Sequence, residues 1–313
     1  MCYGYDGDAA LKRSLARRGI DRRNFLRGSL VGLAGAGLAA TGLAASPVAA
    51  KGMRRVPRGQ ISIQLWTVRN DLFVNYDDTL RYIADIGYSK VEQALGYFGR
   101  TAAQLRDFHD SLGIRTSSSH DGISGSPAAL EEKIENALTL GQSAIVVPFL
   151  DSPNEDDWKM WAEQMNVESA AARDAGLQYG YHNHAHEFST DFGNGRRPWD
   201  VLTEDLDPRR VHLEIDIYWA VTGGIQSGEG VSDPEGFAID VMRAAPQRVR
   251  QYHVKDRDPA TGGFADPGTG HIDFARIFAA QTVQQYIVEN DEPDVTPRQT
   301  AEVGYRYLRN LRF

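Results

Sequence analysis

Short runs of apolar and β-branched residues alternate along this chain with segments whose apolar positions recur at helical spacing. The runs fall at 61–68, 90–94, 115–119, 144–149, 178–182, 211–217, 249–254 and 286–288. Among the intervening segments, 77–86, 102–112, 127–140 and 156–175 have the length and periodicity of helices. Gly87, Gly113, Gly141 and Gly176 follow them, where a helix ends most easily in a left-handed residue. Strand, helix, glycine and strand again is the signature of parallel βα units. Eight such runs predict a (β/α)8 barrel. A doubly wound open sheet shares the alternation, but no glycine-rich phosphate loop follows an early strand to favour it.

The first fifty residues stand apart from this pattern. Basic residues Lys12, Arg13, Arg17 and Arg18 precede Asp21-Arg22-Arg23-Asn24-Phe25-Leu26-Arg27, and a Gly- and Ala-rich stretch then leads to Val48-Ala49-Ala50. The order resembles a twin-arginine export signal, with Asp21 standing where Ser or Thr is commoner and with a long basic region before it. The apolar stretch, about 17 residues, is short for a membrane span and is interrupted by glycines. Cleavage near Ala50 is the expectation. It gives a signal peptide over 1–50, a single catalytic domain over 51–313, and an exported protein that is periplasmic or extracellular. The twin-arginine export machinery is the implied partner, and an uncleaved signal would leave the domain tethered to the membrane. Cys2, the single cysteine, lies in the segment to be lost, so neither a disulfide nor a thiolate ligand is available to the mature chain.

Charge narrows the function classes. Seven of the 34 basic and three of the 42 acidic residues lie in the first fifty, so the remaining 263 residues carry 27 and 39 and a formal charge of −12. Such a surface repels phosphate backbones, which argues against nucleic acid as a partner. The length suits one barrel of about 250 residues.

The predicted strands end in polar residues. Strand two supplies Glu92 and Gln93, strand three His120 and Asp121, and strand five His182, His184 and Glu187. Strand six gives Glu214 and Asp216, strand seven His253, Lys255 and Asp256, and strand eight Glu289, Asn290 and Asp291. Barrel enzymes carry their chemistry on that face. Residues 181–188, Tyr-His-Asn-His-Ala-His-Glu-Phe, hold three of the eight histidines, a donor set for Zn²⁺, Mn²⁺ and related ions. Taken alone they also fit a solvated histidine-rich loop.

The segments YHNHAHEF (181–188), HLEIDIYWA (212–220), YHVKD (252–256), PGTGHIDF (267–274) and YIVEND (286–291) together resemble the sugar phosphate isomerase/epimerase family. These are xylose isomerase-like TIM barrels that also include inosose dehydratases, hydroxypyruvate isomerases and endonuclease IV. The resemblance implies a divalent ion (Mn, Zn, Co or Mg) held by Glu187, Asp216, His253 and Glu289, with His182 as the alternative strand-five ligand. It implies a metal-dependent isomerase, epimerase or carbon–oxygen lyase for a small carbohydrate: a keto sugar, keto-glycoside or inositol derivative. A proton would leave the carbon next to the carbonyl to give a metal-stabilised enediolate. Glu289 and Glu187 are then candidate bases, His182 and His184 candidate acids, and Lys255 a candidate oxyanion partner whose alternative is an ion pair with Asp216 or Asp256. Candidate substrate contacts are His120, Glu92, Trp66, Trp219 and His271. Trp219 stands where many relatives have a histidine, and an aromatic there suits stacking on a sugar face.

Several residues read as structural. His109 falls on a helix, His212 begins a strand near the barrel bottom, and Glu214 has the parity of a buried partner one layer below Asp216. The stretch 277–286 is short, which predicts a truncated seventh helix or a displaced eighth strand. Two other functions keep the barrel: an exported sugar-binding protein without activity, and a nuclease, which would need a basic face and further histidines. The oligomeric state has no signal in the sequence.

Overall fold

In a computed structural model, which describes residues 53–313, eight parallel strands close into a barrel. They are β1 (Ile61–Gln64), β2 (Lys90–Gln93), β3 (Arg115–His120), β4 (Ala144–Val147), β5 (Gln178–His182), β6 (Val211–Asp216), β7 (Val249–Val254) and β10 (Gln285–Val288). Closure comes from β1 pairing with both β2 and β10. Two short antiparallel strands, β8 (Asp256–Arg257) and β9 (Phe264–Ala265), make a hairpin in the loop after β7. The expected twin-arginine signal over 1–50 lies outside the described residues. Among the described residues no helix is long and apolar enough to cross a membrane.

The helices begin and end where local chemistry sets them. Asn75 accepts from the Asp78 amide to start α2 (Tyr76–Ile86), after the short α1 (Arg69–Val74). Thr101 and Gln104 form a capping box on α3 (Ala102–Ser111). Ser126 and Pro127 open α4 (Pro127–Leu140) and Gly141, with φ 73°, closes it. The remaining helices are α5 (Glu155–Asp174), α6 (His186–Ser189), α7 (Pro198–Asp205), α8 (Ile217–Ser227), α9 (Pro234–Ala244), α10 (Phe274–Ala280) and α11 (Pro297–Asn310). The seventh helix is the truncated element: α10 has only seven residues. β10 is not displaced, since it keeps continuous register with β7 and β1.

Two expected strands stop early for visible reasons. The Gln64 side chain accepts from the Trp66 amide and turns 65–68 into a 3₁₀ helix. Past Val147, Pro148 supplies no amide donor for the ladder.

Apolar burial is concentrated between the strands and the surrounding helices, as with Trp158, Met165 and Tyr179 on one side and Leu80, Ile83 and Phe278 on another. The inside of the barrel is different. From the bottom upward, Gln285 donates to Ser62 (2.7 Å), His212 meets Gln251 (2.8 Å), and Gln251 donates to Ser118 (3.1 Å). Above them Gln64 donates to Glu92 (2.8 Å). This hydrogen-bonded column replaces the branched apolar layers usual in such barrels, and every buried polar group in it needs a partner. Gly180 makes room for it, because a Cβ there would lie 2.6 Å from the His212 ring. The β2/β3 and β6/β7 ladders shift register at Val91/Glu92 and Leu213/Glu214, where bulges re-aim the following carboxylates inward.

Candidate active site

Strand register sets the site. Asp216 at the end of β6 lies opposite His253 of β7, His182 opposite Glu214, and His253 opposite Ile287, two residues before Glu289. Nitrogen and oxygen atoms of His182, Asp216, His253 and Glu289 therefore come within 4.8 Å of one another, all buried. His253 Nδ1 is 2.8 Å from Glu289 Oε2, and His182 Nε2 is 3.9 Å from Asp216 Oδ2. Asp216 Oδ1 accepts from the Trp219 amide at 2.9 Å, capping α8, which fixes the carboxylate. Lys255 Nζ lies 3.0 Å from Asp216 Oδ2, 2.8 Å from Glu289 and 2.6 Å from Asp291. Its approach to Asp216 Oδ2 is an ion pair without hydrogen-bond geometry, so that oxygen is buried with no hydrogen bond.

One layer down, two carboxylates hold three imidazoles. Glu214 Oε1 is 2.7 Å from His120 Nε2, 3.0 Å from His253 Nε2 and 3.2 Å from His182 Nδ1. Glu92 Oε1 is 2.7 Å from His253 Nε2 and also receives Gln64, while Ser118 donates to its other oxygen. His120, His182, Glu214 and His253 could also surround a cation by distance alone. Their facing atoms are instead committed to one another by hydrogen bonds, and only His120 and His182 of that set reach the cavity wall. The upper set likewise reaches the wall at two residues, His182 and Glu289, and it holds the Asp216 oxygen that has no hydrogen bond.

Burial and charge compete at each group. Burial disfavours the charged form of His253, yet Glu214, Glu289 and Glu92 hold it well above the ordinary histidine value. Burial likewise opposes the Lys255 ammonium, and Asp216, Glu289 and Asp291 outweigh it. His182 is pushed down to about 3 by burial and then by His253. His184 is driven further down by burial, His182 and Lys255. Asp216 is pushed up to about 6, mainly by burial, with Lys255 opposing. Two buried carboxylates, two imidazoles and an oxygen without a hydrogen bond form a set that a small divalent cation would satisfy. The donors fit such an ion.

A cavity of about 610 Å³ opens over this group. His120, His182, His184, Lys255 and Glu289 reach it from the strands, and Trp66 and Phe149 flank it, 39% and 52% exposed. Large aromatic faces left that open at a cavity rim suit stacking on a sugar. Trp219 packs instead against His184 (5.3 Å between centroids) and over Lys255 Nζ (5.4 Å), behind the cavity wall. The Asp256 carboxylate accepts from the amides of Gly268, Gly270 and Ile272, so it anchors the PGTGHI loop and leaves Lys255 to the other acids.

Besides Trp219, three residues expected at the site lie off the cavity wall. The short α6 turns Glu187 back onto its own strand, where it accepts from Tyr181 Oη (2.7 Å) and the His184 amide (2.9 Å), so His182 supplies the strand-five atom in the cluster. Glu92 is fully buried beneath His253 and does not line the cavity. His271 is exposed beside Arg257 (3.4 Å) and is not on the cavity wall. Sequence reasoning missed Phe149, Phe264, Arg69 and the Lys255–Asp291 pair. Only Phe149 had a signal, as the exposed aromatic just past a strand end.

A family model described as "Xylose isomerase-like TIM barrel" matches residues 80–309. The chain belongs to the xylose isomerase-like TIM barrel family. An inosose dehydratase of Clostridium perfringens is 26% identical over 194 residues, 54% of this chain and 60% of the relative. The chain thus spans about three-fifths of the length of the curated relatives it matches. The crystal structure of a sugar phosphate isomerase/epimerase from Parabacteroides distasonis is 25% identical, with 81% of this chain and 95% of that one covered and a TM-score of 0.63. D-psicose 3-epimerase of Clostridium cellulolyticum, crystallised with D-tagatose, shares the fold at 12% identity, with 80% and 98% covered and a TM-score of 0.56. This xylose isomerase-like barrel is therefore similar to isomerases, epimerases and a dehydratase.

Proposed function

We infer that the protein is a metal-dependent carbohydrate isomerase, epimerase or carbon–oxygen lyase acting next to a carbonyl. The observation that carries this reading is the convergence of His182, Asp216, His253 and Glu289 within 4.8 Å, with His182 and Glu289 on the cavity wall. A divalent ion bound there would polarise the carbonyl and adjacent hydroxyl oxygens of a keto sugar. Glu289 lines the cavity as a carboxylate that can take the proton from the neighbouring carbon. Lys255, fixed by three acids at the same wall, faces the oxygen on which negative charge develops. His184 lines the cavity too, and its Nδ1 is free of any hydrogen bond, so its ring can meet a hydroxyl. With Glu289 as the base and the His184 ring, kept neutral by burial, donating a hydrogen bond to a departing β-oxygen, the cavity can also support elimination. The inosose dehydratase relatives favour that outcome.

The substrate is a neutral sugar, keto-glycoside or inositol derivative. Glu289, Asp291 and Glu292 line the cavity against two cations, Lys255 and Arg69. Lys255 is paired to acids, and Arg69 donates to the Trp66 and Asp291 carbonyls at 2.9 and 2.6 Å. Such a wall does not favour a phosphate. Export by the twin-arginine route, with the mature chain starting near Lys51, would place the enzyme where neutral sugars arrive; the mass of the exported protein's N-terminus tests it.

Elemental analysis of the purified protein together with isotope exchange in D₂O tests the reaction. Expected are about one divalent ion per chain and deuterium incorporation, or water loss, next to the carbonyl of a keto sugar or inosose. Asp216→Ala and His253→Ala should abolish both. Metal-free protein whose behaviour those two variants leave unchanged would remove the proposal.

A further inference from the structure

A second cavity, of about 280 Å³, opens between the ends of β2 and β3 and the first half of α4. It shares Ala94 and His120 with the cavity over the cluster, so the two are neighbours separated by those residues. Tyr97, Asp121, Glu132 and Asn136 line it, together with Gln93. Lys133 is on the wall as well, but its ammonium is committed to the Gly122 carbonyl (2.6 Å) and Glu168 (2.9 Å). What remains is rich in acceptors, with the phenol ring of Tyr97 and the two carboxamides of Gln93 and Asn136.

Gln93 points to a ligand. The side chain is only 3% exposed, and its Nε2 donates to the Gly96 carbonyl, while Oε1 is buried with no hydrogen-bond partner. Buried amide oxygens are rarely left so, and a hydroxyl donor arriving in the cavity would satisfy it. Carboxylates, carboxamides and an aromatic face are the groups that grip the hydroxyls and the apolar face of a neutral sugar ring. The same carboxylates repel a phosphate.

We propose that this cavity is a second sugar subsite and that the natural ligand is a glycoside of at least two rings. One ring lies over Asp216, His253 and Glu289, and the next passes His120 to reach Gln93, Tyr97 and Asn136. The proposal rests on reading the first cavity as a carbohydrate site. His120 becomes the divider between the subsites, tied by Glu214 and Glu92 in a fixed orientation.

Binding, which needs no turnover, tests it. Tryptophan fluorescence or calorimetry on the full domain would compare D-glucose with cellobiose, maltose, trehalose and sucrose. At least one disaccharide is expected to bind tenfold or more tightly than D-glucose. Asn136→Ala and Tyr97→Ala, on a helix and a loop outside the barrel wall, should cancel that gain and leave D-glucose affinity unchanged; Gln93→Leu should do the same. Equal affinity for one and two rings, or a gain that survives all three variants, overturns the subsite. Isotope exchange retained alongside that result would leave the proposed chemistry standing, and exchange lost with the subsite intact would do the reverse.

Discussion

Glu214 Oε1 lies 3.0 Å from His253 Nε2, which leaves the other ring nitrogen, Nδ1, facing Glu289. With Glu92 Oε1 2.7 Å from the same nitrogen, the two carboxylates set which edge of the imidazole meets Glu289. Glu214 does the same for His182, whose Nδ1 it holds while Nε2 turns to Asp216. Partners of this kind tune a ligand without touching the ion. Glu214→Gln should therefore weaken binding of Zn²⁺ or Mn²⁺ about 10- to 100-fold while all four upper donors remain. Competition titration against a chelating dye reads this directly, and unaltered affinity would deny Glu214 its orienting role.

Lys255 is the cation that neutralises the acids of the cluster. Its ammonium is buried among Asp216, Glu289 and Asp291. Removing one partner from such a group leaves uncompensated buried charge, at a cost of about 3–5 kcal/mol. Lys255→Met should lower the Tm of the metal-free protein, and added divalent ion should restore more of it than the same addition gives the wild type. Equal metal-induced shifts in the two proteins would show that Lys255 and the ion do not balance the same charges.

The eight strands were legible because each is a short buried run, most of them closed by a polar end, and because glycine marks four helix exits. The side-chain cluster was legible in part. Asp216, His253 and Glu289 end their strands with the parity of one face, which register turns into proximity. Glu187 misled because closeness in sequence says nothing of direction: one turn of helix aims it at Tyr181. Glu92 had the right parity at the wrong height, and a bulge at Val91/Glu92 is invisible in the residue pattern. The Lys255–Asp291 pair joins two loops through the closure of the barrel, information that no local window contains.

His109 predicts a pH dependence away from the site. It is fully buried on α3 between Tyr76 Oη (2.8 Å) and Thr116 Oγ1 (2.9 Å), and burial pushes its pKa down to about 4. In the unfolded chain the ring titrates near 6.5. Above that pH it is neutral in both states and adds no slope. Between about 6.5 and 4 the unfolded chain takes up the proton and the folded one does not, so stability falls with pH by up to about 3 kcal/mol. Tm profiles of the wild type and His109→Gln should converge across this window as the pH is lowered. Parallel profiles would mean that the ring protonates within the fold.

His182 and Glu187 make the decisive pair, because the sequence offers both for one position and the geometry separates them. The His182 ring is in the cluster, and Glu187 has its oxygens on Tyr181 and the His184 amide. His182→Ala should then lower the bound metal well below one equivalent, since a four-donor site reduced to three holds its ion loosely. Glu187→Gln should keep the metal and lose stability instead, by about 1–3 kcal/mol, because it disturbs a buried acceptor that two donors share. Elemental analysis after dialysis separates these outcomes from a simple folding defect when read beside the Tm. Metal lost from Glu187→Gln but kept by His182→Ala would reverse the assignment.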